Sequence, residues 1–368
     1  MIGACVQWSA RSSPSSIAAS SALRVTRGKG VGSSMSRDDD DDQLISTQQF
    51  TAAGFSLFRF SSLAKATSDF SQEYKIGEGG FGRVYKGQLH GLPVAIKRCF
   101  VESSPERLSD FDNEIKFIPR LQHRNIVKLQ GYCIHGKERI LVYEYMQNKS
   151  LDKFIFGPRN MKSLGWDRLF AIIGGIAQGV VYLRLHSGLD IIHRDLKPSN
   201  ILLDSEMNPK ISDFGTARAC PRDKISYKAA VIAGTHGYMA PEYSNKGVFS
   251  GKTDVFSFGS LLLEMLSGKR NCTSYSIRNK TYSSLHAYAW DMVFVENALE
   301  NLVHPSLRRE TPRRMEKIRR CAQVALLCVQ EDPADRPSMW EVVLMLNISI
   351  GAQCLETPKK PAHQYGRA

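Results

Sequence analysis

The chain has 368 residues, 42% hydrophobic and 23% charged, an ordinary globular composition with length enough for one large domain or two lobes plus tails. Its 49 Lys and Arg exceed its 36 Asp and Glu by 13, which suits an acidic partner, a phosphorylated ligand or an anionic membrane surface. Eight scattered cysteines without a CxxC pair argue for free thiols in a reducing compartment, and no stretch approaches the roughly 20 apolar residues of a membrane span.

Residues 1–37 are rich in Ser, Ala and Arg and hold no acid, a composition compatible with a plastid or mitochondrial transit peptide, although a disordered tail over 1–43 is the preferred reading. Arg11, Arg24, Arg27, Lys29 and Arg37 are balanced by Asp38 to Asp42, and Met35 is an alternative start. Ile2 stands where N-myristoylation needs glycine, while Cys5 could be acylated. Asn-x-Ser/Thr triplets at Asn148, Asn271, Asn279 and Asn347 read as coincidence, because nothing advertises a secretory route.

Local order is expected from "FRFSSLAKATSDFSQEYKIGEGGFGRVYKGQL", where a short helix pattern gives way to alternation. Gly77, Gly79 and Gly82 form a GxGxxG that dinucleotide-binding folds share. In those folds a helix follows; here "RVYKGQL" alternates, "HGLP" turns and "VAIKRCF" alternates again, so the glycines sit at a hairpin tip, where backbone N–H groups can approach phosphates under Phe81. Lys97 then lies on a strand, either as an exposed edge lysine or as a phosphate ligand. "SDFDNEIKFIPRLQH" reads as an amphipathic helix with Phe111, Ile115, Ile118 and Leu121 on one face. Glu114 beside that face can cross to Lys97, provided the helix ends before Pro119, since an interior proline costs about 3 kcal/mol.

"RILVYEYM" is an apolar strand, "QNKSLDKFI" a linker into a second, helical region, and "LGWDRLFAIIGGIAQGVVYLRLHS" a long helix despite its glycines. "DIIHRDLKPSNILLD" sets ionisable groups inside an apolar run, which by itself fits a solvated loop or a structural ion-pair cluster. "PKISDFGTARA", "IAGTHGYMAPEY" and "GKTDVFSFGSLLLEML" follow; "GVFSGKT" is one residue short of a Walker A loop and lacks the preceding strand. The late run "LRRETPRRMEKIRR", with Ile318, Ala322, Ala325 and Leu326 at helical spacing, predicts a basic outer face on a packed helix, and no aromatic-interleaved motif argues for nucleic acid.

These pieces, in this order from about Phe70 to Leu346, resemble the eukaryotic protein kinase domain. "FSSLAKATSDFS", "GEGGFGRVYKGQL", "LQHRNIVKLQGYC", "LVYEYMQNKSLDKFIF" and "CVQEDPADRPSM" look in particular like plant receptor-like kinases, nearest the cysteine-rich branch. The resemblance implies an α+β, bilobal protein kinase fold, with a small β-rich N-lobe carrying one main helix (70–146) and a larger helical C-lobe (147–347). A juxta-kinase segment (44–69) would precede it and a C-terminal tail (348–368) follow. The receptors' extracellular module and membrane span have no counterpart here, so the chain resembles a receptor-like cytoplasmic kinase.

The resemblance further implies transfer of the ATP γ-phosphate to Ser or Thr of protein substrates. Asp195 would be the base and Lys197 would neutralise the transferring phosphate; lysine at that place resembles the serine/threonine kinases. Lys97 and Glu114 would place the phosphates, and Asn200 and Asp213 would ligate magnesium. Gly77, Gly79 and Gly82 would cover the phosphates. Ile76, Val84, Ala95 and Leu202 would sandwich adenine, with backbone of Glu144 and Met146 on its edge and Tyr143 as gatekeeper. Glu242 and Arg336 look like partners of a buried ion pair.

The implied setting is cytoplasmic, peripheral at the plasma membrane, with receptor-like kinases as partners and the chain monomeric or transiently dimeric. Plastid targeting through residues 1–37 is the competing expectation. Relatives commonly have Thr and Arg where this chain has Ala229 and Val231, so the usual activation-loop phosphosite is missing and Ser226 or Tyr227 would have to supply an anion to Arg194. Arg184 replaces a histidine common in relatives. A pseudokinase scaffold binding partner kinases is the alternative, although Lys97, Asp195 and Asp213 are all present.

Overall fold

The computed structural model describes residues 55–100, 105–157, 161–221, 224–271, 274–277, 280–348 and 355–361. The expectations for residues 1–43, with Met35 and Cys5, lie outside them.

The smaller lobe is built on one sheet: β1 (Ser56–Leu57), β2 (Lys75–Gly79), β3 (Gly82–Leu89), β4 (Leu92–Cys99), β5 (Leu129–His135) and β6 (Glu138–Glu144), ordered β1-β5-β6-β4-β3-β2. Neighbours are antiparallel except β1, which runs parallel to β5. His90 and Gly91, at φ 51° and 77°, close the β3–β4 hairpin in the left-handed conformation that a two-residue turn demands. Period-two alternation along β4 sends Val94 and Ile96 to one face and Ala95 and Lys97 to the other. The first face is sealed by helix α1 (Phe60–Ala66), whose Leu63 is fully buried with Val94, Ile96, Cys133, Ile140 and Val142. The second face carries Lys97, with Ala95 packed against the main core.

Helix α2 (Pro105–Phe117) stops where the proline demands. Ile118–Arg120 tightens into a 3-10 turn with Pro119 inside it, so no α-helical bond is lost and Glu114 stays on regular helix. Leu121 therefore lies beyond the helix predicted to carry it, although it is buried all the same.

The larger lobe begins with α3 (Asp152–Ile155) and α4 (Met161–Val181); Gly165, at φ 61°, breaks α4 near its start, and Tyr182–His186 widens its end into a π turn. Against the expectation that no segment reaches span length, Met161–His186 is long and apolar enough to cross a membrane. Leu169, Ile172, Ile173, Ile176 and Ala177 are nevertheless fully buried in the lobe's own core. Short pairs follow: β7 (Ile191–Ile192) with β10 (Arg218–Ala219), β8 (Ile201–Leu203) with β9 (Pro209–Ile211), and β11 (Tyr227–Lys228) with β12 (Val248–Phe249) across α5 (Pro241–Lys246). Helix α6 (Gly251–Ser267) starts with a capping box between Ser250 and Thr253, so "GVFSGKT" is a strand end and a helix cap.

A hairpin β13 (Tyr275–Ile277) and β14 (Lys280–Tyr282), then α7 (Leu285–Trp290), α8 (Leu299–Leu302), α9 (Pro312–Cys328) and α10 (Met339–Asn347), complete the lobe. Ile318, Ala322, Ala325 and Leu326 of α9 are buried, and its cations work on the outer side: Arg314 pairs with Glu310, and Lys317 lies over the Phe170 ring. Part of the expected C-terminal tail is docked, with Lys359 N donating to Gln330 Oε1 (3.0 Å) and Trp290 Nε1 to Pro358 O (3.2 Å). Cys99, Cys133, Cys220, Cys321 and Cys328 are free thiols.

Arg336 and Glu242 form a two-pronged pair, both N–O distances 2.8 Å, with the Arg336 side chain wholly buried. Arg336 also donates to Gln330 O (2.7 Å) and Lys252 O (3.1 Å). We expect Arg336→Met to destabilise the protein by about 3 kcal/mol, because Glu242 keeps its charge without its partner. Urea unfolding checks this; an unchanged midpoint would mean that water satisfies Glu242 unaided.

Candidate active site

Lys97 Nζ lies 2.7 Å from Glu114 Oε1 and 3.2 Å from Asp213 Oδ1, tying β4, α2 and the segment after β9 together. Burial alone would lower the Lys97 pKa, but Asp213 and Glu114 outweigh it and hold the ammonium well above its ordinary value. Burial likewise acts to raise Asp213, and Lys97 and Lys197 outweigh it to hold that carboxylate low. Glu114 is 1% exposed. Its second oxygen accepts from the Tyr143 hydroxyl, so the residue expected as gatekeeper also fixes Glu114. Asn113, the neighbouring residue, donates to Gly215 O (2.6 Å) and anchors α2 to the segment that carries Asp213.

Asp195 is held on both oxygens. Oδ1 accepts from Thr235 Oγ1 (2.6 Å); Oδ2 accepts from Lys197 Nζ (2.7 Å) and Asn200 Nδ2 (3.1 Å). Lys197 also donates to Thr235 Oγ1 (2.7 Å), closing a triangle. The neighbours of Asp195 are rigid as well: backbone N–H groups of His193 (2.7 Å) and Arg194 (2.9 Å) donate to the buried Asp254 carboxylate. The His193 ring contacts Ser212 O (3.1 Å) and meets Phe214 edge-on, which are packing roles.

Arg194 already has partners within the fold. Its Nε donates to Thr216 O (2.7 Å), Nη1 donates to the Tyr243 hydroxyl (3.1 Å), and the guanidinium sits 5.0 Å from the Phe249 ring. Arg184, whose effect the sequence left open, donates to Cys220 O (2.8 Å), joining the π turn after α4 to the end of β10.

Above these groups the β2–β3 hairpin places Gly79 opposite Gly82. Gly82, at φ +152°, leaves no room for a side chain, since a Cβ would lie 2.3 Å from Arg98 O. At Gly79 and Gly80 a Cβ would meet nothing within 4 Å, so the hairpin tip is open there. Phe81 closes over the Lys97 ammonium, 5.6 Å from ring centre to Nζ.

Ala95, on the same strand face as Lys97, pairs with Tyr143, and Val84 pairs with Lys97; both are half-buried, as is Leu202 on β8. Ile76 on β2 is 41% exposed, and Gly77 pairs with Val84. Glu144 turns its carboxylate away, toward Lys128 N (2.8 Å) and Lys210 Nζ (3.1 Å), and Met146 is buried beyond it.

The donor set suits a hard cation. Asp213 supplies carboxylate, and Asn200, whose amide nitrogen is spent on Asp195 O (2.9 Å) and Oδ2, has its side-chain oxygen left to give. Among the described residues no cluster of three or more His, Cys, Asp or Glu is placed to hold a metal. Two oxygen ligands with phosphates and water to complete the shell is the pattern magnesium takes.

Sequence reading missed Thr235 and Asp254. Asp254 had a signal, as one of only two acids, with Glu264, in the apolar run "TDVFSFGSLLLEML"; Thr235 had none, because its partner Asp195 is 40 residues away.

Residues 70–345 match the family model described as protein kinase domain. A G-type lectin S-receptor-like serine/threonine-protein kinase of Arabidopsis thaliana is 48% identical over 311 residues, covering 84% of this chain and 37% of that protein. Cysteine-rich receptor-like protein kinase 10 of the same plant is 47% identical over 303 residues (82% and 44%), and cysteine-rich receptor-like protein kinase 25 is 46% identical over 316 (86% and 45%). The chain spans less than half the length of these relatives. A β-rich lobe over a helical one, a glycine hairpin above a buried lysine–glutamate pair and this family match lead to one assignment: the chain belongs to the protein kinase family.

Proposed function

We propose that this chain is a serine/threonine kinase that moves the γ-phosphate of ATP to protein hydroxyls. The observation that carries the reading is the Asp195–Thr235–Lys197 triangle, which sets a carboxylate and an ammonium 2.7 Å apart on a loop pinned by Asp254. Asp195 Oδ takes the proton of the attacking hydroxyl, and Lys197 stabilises negative charge on the group in flight. Lys97, held by Glu114, orients the phosphates under Gly77, Gly79 and Gly82. Adenine lies between Ile76, Val84 and Ala95 on one side and Leu202 on the other, its edge on the backbone of Glu144 and Met146. Asn200 and Asp213 would hold magnesium, which would supply positive charge to the phosphates. Because Thr235 touches both Asp195 and Lys197, it belongs with them as the residue that keeps their spacing.

The formed Lys97–Glu114 pair, and a helix that ends before Pro119, count against the scaffold alternative. Relatives named as receptor-like kinases support action on the cytoplasmic side of the plasma membrane, on protein substrates that include partner kinases. Of the two substitute phosphosites, Ser226 is exposed, whereas Tyr227 leans on Phe249 and donates its hydroxyl to Pro221 O, so Ser226 is the better acceptor.

The test is phosphate incorporation by the purified chain with magnesium and labelled ATP, followed by site mapping. We expect label on serine and threonine, Ser226 among them. Retained ATP binding with no label would favour the scaffold.

A further inference from the structure

Residues 55–66 precede the matched kinase domain, yet they are built into the lobe that carries Lys97. Two attachments differ in kind. Helix α1 buries Leu63 under the sheet, which is ordinary core packing. Strand β1 instead lies on the sheet edge beside α2, with Ser56 opposite Gly131, Leu57 opposite Tyr132, and Phe58 N donating to Tyr132 O (2.8 Å).

Gly131 is the seat that admits this strand. A Cβ there would lie 1.9 Å from Ser56 O and 2.7 Å from Phe58 Cε2, so any other residue would push β1 away. With β1 in place, the Phe55 ring stacks on Tyr132 (5.5 Å between centres, 27° between planes), and Tyr132 meets Phe111 edge-on (6.4 Å, 70°). Phe111 is buried on α2 one turn before Glu114, and the two side chains share the inward side of that helix. A continuous aromatic line thus runs from outside the matched domain to the helix that holds the carboxylate 2.7 Å from Lys97.

We propose that Phe55 is a positioning residue for phosphoryl transfer: seated by Gly131, it presses Tyr132 on Phe111 and holds α2 where Glu114 meets Lys97. The inference rests on the kinase reading for its activity readout alone. Displacing Phe55 would let α2 swing outward, lengthening the Lys97–Glu114 contact, and misplacement of this size in a positioning network lowers turnover more than nucleotide binding.

The test uses the full chain with Phe55→Ala, the conservative Phe55→Leu, and Gly131→Ala, which ejects the strand while leaving Phe55 intact. Turnover and KM for ATP are measured beside amide hydrogen exchange of residues 105–117 in the absence of substrate. We expect kcat to fall about tenfold in Phe55→Ala and Gly131→Ala with KM for ATP changed less than about threefold, α2 to exchange faster while β3, β4 and α6 keep wild-type rates, and Phe55→Leu to restore most of both. Wild-type α2 exchange in Phe55→Ala would overturn the proposal, as would a uniform rise across all elements, which signals general destabilisation. If the wild-type chain transfers no phosphate, the kinase reading fails, and the exchange pattern of α2 still decides the role of Phe55.

Discussion

Asp195→Asn is expected to lower phosphoryl transfer by about 10²- to 10⁴-fold while leaving nucleotide affinity within about twofold of wild type. Asparagine has nearly the same shape, so the loop should persist, pinned by Asp254 through the His193 and Arg194 N–H groups. What changes is chemistry. The wild-type carboxylate accepts from Thr235, Lys197 and Asn200 at 2.6 to 3.1 Å and can still take a proton. An amide is no base near neutral pH; it fits best with its oxygen toward the Lys197 ammonium and Asn200 Nδ2 and its NH₂ group toward the Thr235 hydroxyl, which can turn to accept. Adenine would lie on the other face of the cleft, against β2, β3 and β4, so binding should be spared. Single-turnover transfer and nucleotide titration separate the two effects; transfer at the wild-type rate would remove Asp195 from the chemical step.

Lys97→Met should lower turnover by about a hundredfold or more, with a smaller loss of nucleotide affinity. Methionine fills the volume of the lysine stem but removes the only cation contacting Glu114 and Asp213 among the contacts described. Two carboxylates are then left facing a partly buried space, repelling each other and the phosphates, so the Asp213 pKa should rise, with Lys197 the main charge left to hold it down. In the wild type the depressed Asp213 and the raised Lys97 keep the pair ionised from the ordinary carboxylate range up past the ordinary ammonium value of 10.5. Its contribution to stability is lost only as pH falls below that lower limit or rises beyond the upper one, so it should add no slope near neutrality. Steady-state kinetics beside nucleotide titration is the check, and undiminished turnover would sink the Lys97 assignment.

Much of this site was legible because its parts are local. Glycines followed by alternation announced a hairpin, since only strands alternate with period two. The β4 alternation placed Ala95 and Lys97 on one face, and the proline rule allowed α2 to run only as far as the residues before Pro119. Less was visible where the chemistry is shared across distance. The Arg194 side chain looked in need of an anion, because Thr216 and Tyr243 cannot be recognised as its partners from 22 and 49 residues away. The apolar run of α4 announces a long helix despite its glycines, but only the folded lobe reveals the break at Gly165 and how fully the helix is buried.

The sequence by itself determined the glycine hairpin, the strand carrying Lys97, the helices α2 and α4, the charges available to the site and the family, because periodicity, turn sterics and motif spacing act over a few residues. Tertiary structure alone decided that Tyr143 fixes Glu114, that Thr235 completes the Asp195–Lys197 triangle, that Asp254 pins the loop and that Gly131 admits the strand before the domain. The reason is physical: a buried polar group must find a partner, but which one it finds depends on segments packed together from distant parts of the chain.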